Sequence, residues 1–125
     1  MYRMPKILKE LILEVLKKVK DPELGFSIVD AGLVKDINVD EESKRVYIYW
    51  IPTSPFCPLV LAISAAMLSL LRKKLNLEGW NVRVLVDESV ITAKFWNSQL
   101  SNRETVERII SNLESTGQIR YFIIE

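Results

Sequence analysis

Histidine is absent from the chain, and cysteine occurs once, as Cys57. The first absence removes Ser–His–Asp and Cys–His pairs and any imidazole metal ligand. The second removes an internal disulfide. Secreted domains of this size usually carry several cysteines, so a cytoplasmic protein is expected. The four glycines fall in no GxGxxG or GxxxxGK spacing, so no phosphate-cradling loop of those types is present. The longest apolar run, Pro58 to Leu71, falls short of the ~20 residues that span a bilayer, and no membrane partner is expected. The opening MYRMPKILKE turns charged after two apolar positions, so no signal peptide is expected either. Neither sign of charge dominates: 17 basic against 16 acidic residues leave a net of +1. That balance gives no reason to expect nucleic-acid binding, and the short cluster Arg72-Lys73-Lys74 does not alter it.

What is present reads as one folded domain over residues 1–125, because a 49% hydrophobic content is that of a globular protein. Ile7, Leu8, Leu11, Ile12, Val15, Leu16 and Val19 recur at helical spacing and predict a first helix, ended by Asp21-Pro22. The glycine-punctuated DPELGFSIVDAG follows as a loop of a length that is often functional. Alternation from Leu33 to Val39, a turn at DEES and the apolar RVYIYWI predict a hairpin whose second strand is central. A helix from about Pro58 to Leu75 comes next, then a strand over Asn81 to Asp87. Ile91 to Trp96 reads as extended. Ser101 with Glu104 suggests a capping box for a last helix, Gly117 its stop, and Ile119 to Ile124 a final strand. The expected architecture is an α+β, two-layer α/β sandwich of order α-β-β-α-β with a C-terminal β-α-β extension.

The candidates for chemistry are Cys57, the hydroxyls of Thr53 and Ser54, and the loop acids Asp21, Glu23 and Asp30. Cys57 is expected at the N-cap of the second helix, where unpaired N–H groups and the helix dipole favour an anionic sulfur. A thiolate is both a nucleophile and a soft metal ligand. Thr53, four residues earlier, is placed to donate a hydrogen bond to it, and Pro55 and Pro58 to fix its direction. Against this stands packing: free cysteine is often buried, and Phe56 and Leu59 flank it. Asp-Pro-Glu after a helix is also ordinary turn chemistry.

The second helix, PLVLAISAAMLSLL, is apolar nearly all round and broken only by Ser64 and Ser69. A helix without a polar face must be buried on more than one side. Two covers are open: the C-terminal extension of the same chain, or another subunit, which makes a homodimer one of the expectations.

DPELGFSIVDAGLV followed by TSPFCP resembles the iron–sulfur cluster assembly family once catalogued as domain of unknown function fifty-nine. That family includes SufT proteins, PaaD accessory proteins and the cytosolic targeting factor MIP-eighteen. The likeness covers about residues 7 to 87. It implies a domain similar to the C-terminal domain of NifU, used in assembling or delivering iron–sulfur clusters. By position, Cys57 matches the family's reactive or cluster-binding cysteine, which makes it the metal ligand that the resemblance implies in this chain. Thr53 matches the threonine beside it, and Asp21 and Glu23 the acidic motif. DESVITAKFWN is longer than the turn usually leading to the family's late tryptophan, which puts the match of Trp96 in doubt. The cysteine cluster of PaaD-type members is absent, which favours a minimal general carrier.

The resemblance thus implies a non-enzymatic carrier that holds a cluster transiently, its type open, with apo-clients and assembly machinery as partners. A two-iron cluster is normally held by four thiolates, so the rest of the set must come from elsewhere. Phe56, Leu59 and Trp96 are expected to shield such a cargo. Two alternatives stand beside this reading: an adaptor that docks machinery onto clients without touching the cluster, and a thiol enzyme with Glu23 or Asp21 as base.

Overall fold

The computed structural model describes residues 4–124; residues 1–3, part of the stretch read for a signal peptide, and residue 125 lie outside it. Eight elements follow in order: α1 (Met4–Leu16), β1 (Val34–Asp40), β2 (Arg45–Trp50), α2 (Leu59–Lys74), β3 (Asn81–Val86), α3 (Ala93–Leu100), α4 (Arg103–Thr116) and a 3-10 turn, Gln118–Phe122. The first five reproduce the expected α-β-β-α-β order. No helix among the described residues is long and apolar enough to cross a membrane.

The sheet has the order β1-β2-β3. β1 and β2 form the antiparallel hairpin, with Lys44 supplying the positive φ of 52° at its turn. β2 and β3 run parallel, joined by the long crossover connection through α2 that such pairing needs. Ile37, Ile48 and Val84 stand side by side across all three strands and are buried. The period of two puts Val46, Ile48 and Trp50 on that face of β2 and Tyr47 and Tyr49 on the other. There the guanidinium groups of Arg45 and Arg83 stand 5.8 and 5.7 Å from the centroid of the Tyr47 ring.

The apolar α2 is enclosed within one chain. Val60 and every residue from Ile63 to Leu71 are buried, and α1, β3, α3 and α4 pack around it. Its two serines are accounted for by hydrogen bonds. Trp50 Nε1 donates to Ser64 Oγ at 2.9 Å, and Ser69 Oγ donates to Glu114 Oε2 of α4 at 2.9 Å. Lys73 and Arg72, from the last turn of α2, pair with Glu114 and Glu107. The lack of a polar face on α2 therefore gives no ground for a second subunit; the C-terminal segment is its cover.

The expected C-terminal β-α-β extension is not what forms. Ile91 to Trp96 is not extended: Ala93, Trp96 and Leu100 recur at helical spacing as the buried stripe of α3. A short apolar run is ambiguous until its window reaches the next turn, and here Leu100 decides it. Asn97 on that helix finishes the outer edge of β3, accepting from Val86 N–H at 2.8 Å and donating to Val86 O at 2.9 Å. The cap of α4 is Asn102 rather than Ser101, its side chain accepting from Thr105 N–H at 3.1 Å. Gly117 does stop α4, at φ 76°. Beyond it, Ile119 to Ile124 forms no strand. The 3-10 turn ends in one bridge between Ile123 and Val19, with Lys20 N–H donating to Phe122 O at 2.8 Å and Ile124 N–H to Lys18 O at 2.7 Å. The chain's end is thereby tied to the backbone just ahead of Asp21.

α1 is also shorter than its apolar spacing suggests. It ends at Leu16, Lys17 and Lys18 continue as a turn, and Val19 enters the bridge to Ile123. Leu8, Ile12, Leu16 and Val19 are buried, whereas Ile7 and Leu11 are about half exposed.

Candidate functional site

The loop after α1 is built around Asp21. Its side chain accepts from Glu23 N–H at 2.9 Å, and its carbonyl accepts from Leu24 and Gly25 N–H, closing a tight turn that Gly25 completes at φ 79°. Ser27 and Ile28 then plug into the core, and Ser27 Oγ accepts from Val29 N–H at 3.1 Å. The segment is therefore a set of hydrogen-bonded turns anchored by buried residues, not a slack connection.

The second loop leaves the C-terminal end of β2, where the parallel pair opens toward α2. Cys57 N–H donates to Ser54 O at 3.1 Å, and Cys57 O accepts from Val60 N–H at 3.0 Å. The N-cap of α2 is Pro58, so Cys57 stands one residue ahead of the expected position. It is a free thiol of intermediate exposure, neither sealed in the core nor fully open. The thiol is thus partly packed and partly open to solvent.

Thr53 does not serve Cys57 as expected. Its hydroxyl donates to Asp21 Oδ2 at 2.9 Å, and Ser54 Oγ beside it donates to Glu23 Oε2 at 3.2 Å. The two loops, about thirty residues apart in sequence, are joined by a pair of hydroxyl-to-carboxylate bonds. Asp21 is 3% exposed, so its bond replaces lost water, whereas Ser54–Glu23 lies at the surface. Asp21, Glu23, Thr53, Ser54 and Cys57 line one shallow depression with Leu59 and Ile63 behind it. Asp30 is exposed and takes no part.

From the far side, α3 holds the same loop. Trp96 Nε1 and Thr92 Oγ1 both donate to the carbonyl of Pro55, at 2.6 and 2.7 Å. Their four-residue separation puts them on one side of a helical turn, a signal hidden when this stretch is read as extended. Trp96 is buried and works here as a clamp, with the Phe95 ring set edge-on at 4.9 Å. Phe56, between the clamped Pro55 and Cys57, is 74% exposed, so it does not roof the thiol.

No group of three His, Cys, Asp or Glu side chains that could hold a metal ion occurs among the described residues. Asp21 and Glu23 are held by Thr53 and Ser54 rather than converging on the sulfur. Cys57 alone is a soft ligand here, so any iron–sulfur cargo needs further thiolates from outside the site.

The family model for iron–sulfur cluster assembly proteins matches residues 9–87, from within α1 to just past β3. The chain belongs to that family. It is 36% identical over 98 residues to an uncharacterized protein of Methanocaldococcus jannaschii, covering 78% of this chain and 99% of that one. It is 46% identical over 56 residues to the Fe-S protein maturation auxiliary factor YitW of Bacillus subtilis, covering 45% of this chain and 54% of that one. Among solved structures, a domain of unknown function of the DUF59 type from Bacillus anthracis superposes with a TM-score of 0.59. That match is 27% identical and covers 74% of this chain and 93% of the other. Both site loops lie inside the residues that the family model matches, and α3, α4 and the 3-10 turn lie beyond them.

Proposed function

We propose that this member of the iron–sulfur cluster assembly family acts as one domain that transiently holds and delivers a cluster to apo-proteins through Cys57. The observation that carries the reading is the accessible thiol at the mouth of a loop fixed from both sides. Asp21 and Glu23 hold it through Thr53 and Ser54, and Thr92 and Trp96 hold it through the Pro55 carbonyl. A fixed, singly furnished site offers one thiolate and leaves the remaining positions to a client, a small thiol or a second copy. Such a cargo leaves readily, which suits transfer better than storage. Glu23, on the surface and held only by Ser54, is the side chain in this site freest to swing onto an iron. The similarity to YitW of Bacillus subtilis, an Fe-S protein maturation auxiliary factor, supports this class of role.

The decisive experiment is anaerobic reconstitution with iron and sulfide, read by visible absorption, on wild type and Cys57→Ser. Cluster absorption near one two-iron unit per two chains, lost in the variant while the fold persists, is the expected result. Equal cluster binding and transfer by Cys57→Ser overturns the carrier.

The adaptor reading is favoured by a separate observation. Among the described residues the site lacks a full ligand set, while Phe56, Ile91 and Phe95, on the loop and on the segment that clamps it, are all more than half exposed. An adaptor keeps client binding in Cys57→Ser and loses it when Phe56 becomes Ser. A thiol enzyme has less support, because both acids that would serve as base are engaged by hydroxyls.

A further inference from the structure

Along the α2 face that carries Ser64, Leu68 and Arg72 lies a cavity of about 510 Å³, between α2, β3, the end of α3 and the start of α4. It exists because α4 is pinned to α2 by the Arg72–Glu107 and Lys73–Glu114 pairs while its first turn stands off from the start of β3. Leu68, Val82, Val84, Leu100 and Val106 supply an apolar lining, and Trp80 stands beside them. The volume falls within the roughly 300–1,000 Å³ of small-molecule sites, and Ser64, Asn81 and Ser101 add polar residues to the walls.

The charge at the cavity is positive. Arg72, Arg83 and Arg103 line it against the single carboxylate of Glu107. The Arg83 guanidinium is committed elsewhere, over the Tyr47 ring. Arg72 is paired with Glu107, which leaves Arg103, the first residue of α4, with no ion pair among the described residues. A cavity whose walls are part apolar and part polar, with one unpaired guanidinium at its edge, matches a ligand with an apolar body and an anionic head.

We propose that this cavity is a binding site for an amphipathic organic anion, separate from the Cys57 site. Its walls come partly from residues 9–87, which the family model matches, and partly from α4 beyond them. Occupancy therefore bridges the two parts of the chain and strengthens the seating of the C-terminal segment, whose last residues brace the backbone ahead of Asp21.

The test uses the full chain and 8-anilinonaphthalene-1-sulfonate, followed by its own fluorescence and by transfer from tryptophan. Inorganic phosphate and neutral N-phenyl-1-naphthylamine serve as the head-only and body-only probes. Ser101 and Arg103 are exposed, so Ser101→Trp, which blocks the mouth, and Arg103→Glu both leave the fold intact. One saturable site per chain is expected, lost in Ser101→Trp and weakened about tenfold or more in Arg103→Glu, the size of a lost charged hydrogen bond. Each half-probe binds more weakly than the whole one. Undiminished binding in both variants, or loss on replacing Phe56 instead, moves the dye to the exposed apolar surface beside Cys57 and overturns the proposal. Equal binding of the neutral probe overturns the anionic part of it.

Discussion

The Thr53 hydroxyl donates to Asp21 Oδ2 at 2.9 Å across a separation of 32 residues. Asp21 is almost wholly buried, and its other oxygen is taken by Glu23 N–H, so the hydroxyl is the only side-chain donor that the described residues give it. This bond decides how the acidic loop sits against the cysteine loop. It makes Thr53 a positioning residue for the site, acting through Asp21 rather than on the sulfur.

Replacing Thr53 by Val keeps the shape of the side chain and removes the donor. A buried carboxylate oxygen is then left without its partner, which costs about 1.5–3 kcal/mol. Denaturant unfolding should show that loss, and Thr53→Ser should restore most of it. Equal stability of Thr53→Val and wild type would mean that water replaces the hydroxyl and that the loops are not coupled through Asp21.

The Pro55 carbonyl, held by Trp96 and Thr92, gives a second prediction. Trp96→Phe keeps an aromatic body and loses the indole N–H, at a cost of about 0.5–1.5 kcal/mol if Thr92 remains bonded. The double change with Thr92→Val releases the loop. Alkylation of Cys57 by iodoacetamide in the folded protein should then accelerate, in the double variant most. Unchanged alkylation would separate α3 from the thiol altogether.

Glu114 supplies a prediction about pH. Its hydrogen bond from Lys73, then that from Ser69, hold its carboxyl below the ordinary value of 4.5, with burial opposing weakly. A carboxyl whose folded value is depressed stabilises fully above its unfolded value and loses that contribution as pH falls through the folded one. The docking of α4 on α2 should therefore weaken below about pH 4.5. Glu114→Gln should lower the melting temperature at neutral pH while flattening its acid dependence, measured by circular dichroism from pH 7 to pH 3. The partly exposed Lys73–Glu114 pair makes the effect small and salt-sensitive.

The elements most legible in the sequence were those whose period runs uninterrupted. The apolar β2, the all-round apolar α2 and the alternating β3 announce themselves within their own windows. Cys57, Asp21, Glu23 and Thr53 could also be picked out from residue type and order. Their wiring could not, because which carboxylate a hydroxyl meets across 32 residues depends on how two loops approach. Sequence proximity alone points Thr53 to the nearer Cys57. The C-terminal segment misled for another reason. Ile91, Phe95 and Tyr121 are large, apolar or aromatic, and exposed, so they mimic strand character without lying in a core. The buried residues that define α3 are spaced between them.

The cover on α2 gives the last prediction. Val106, Ile110 and Leu113 of α4 are all buried, as are the α2 residues from Ile63 to Leu71 beneath and around them. Ile110→Ala should cost about 2–5 kcal/mol, the range for truncating a buried aliphatic side chain. A chain ending at Asn102 loses all three, at about 1.5–3 kcal/mol each, against a total stability of about 5–15 kcal/mol for a domain. It also uncovers part of a helix that has no polar face to offer water. Sedimentation of that truncated chain should show self-association or partial unfolding relative to the full chain, and Asp at Ala62, only partly buried beforehand, should affect it less than the truncation does. A truncated chain that stays as stable and as dispersed as the full one would mean that the residues up to Asn102, α3 included, already close α2, and that α4 lies on the domain without covering it.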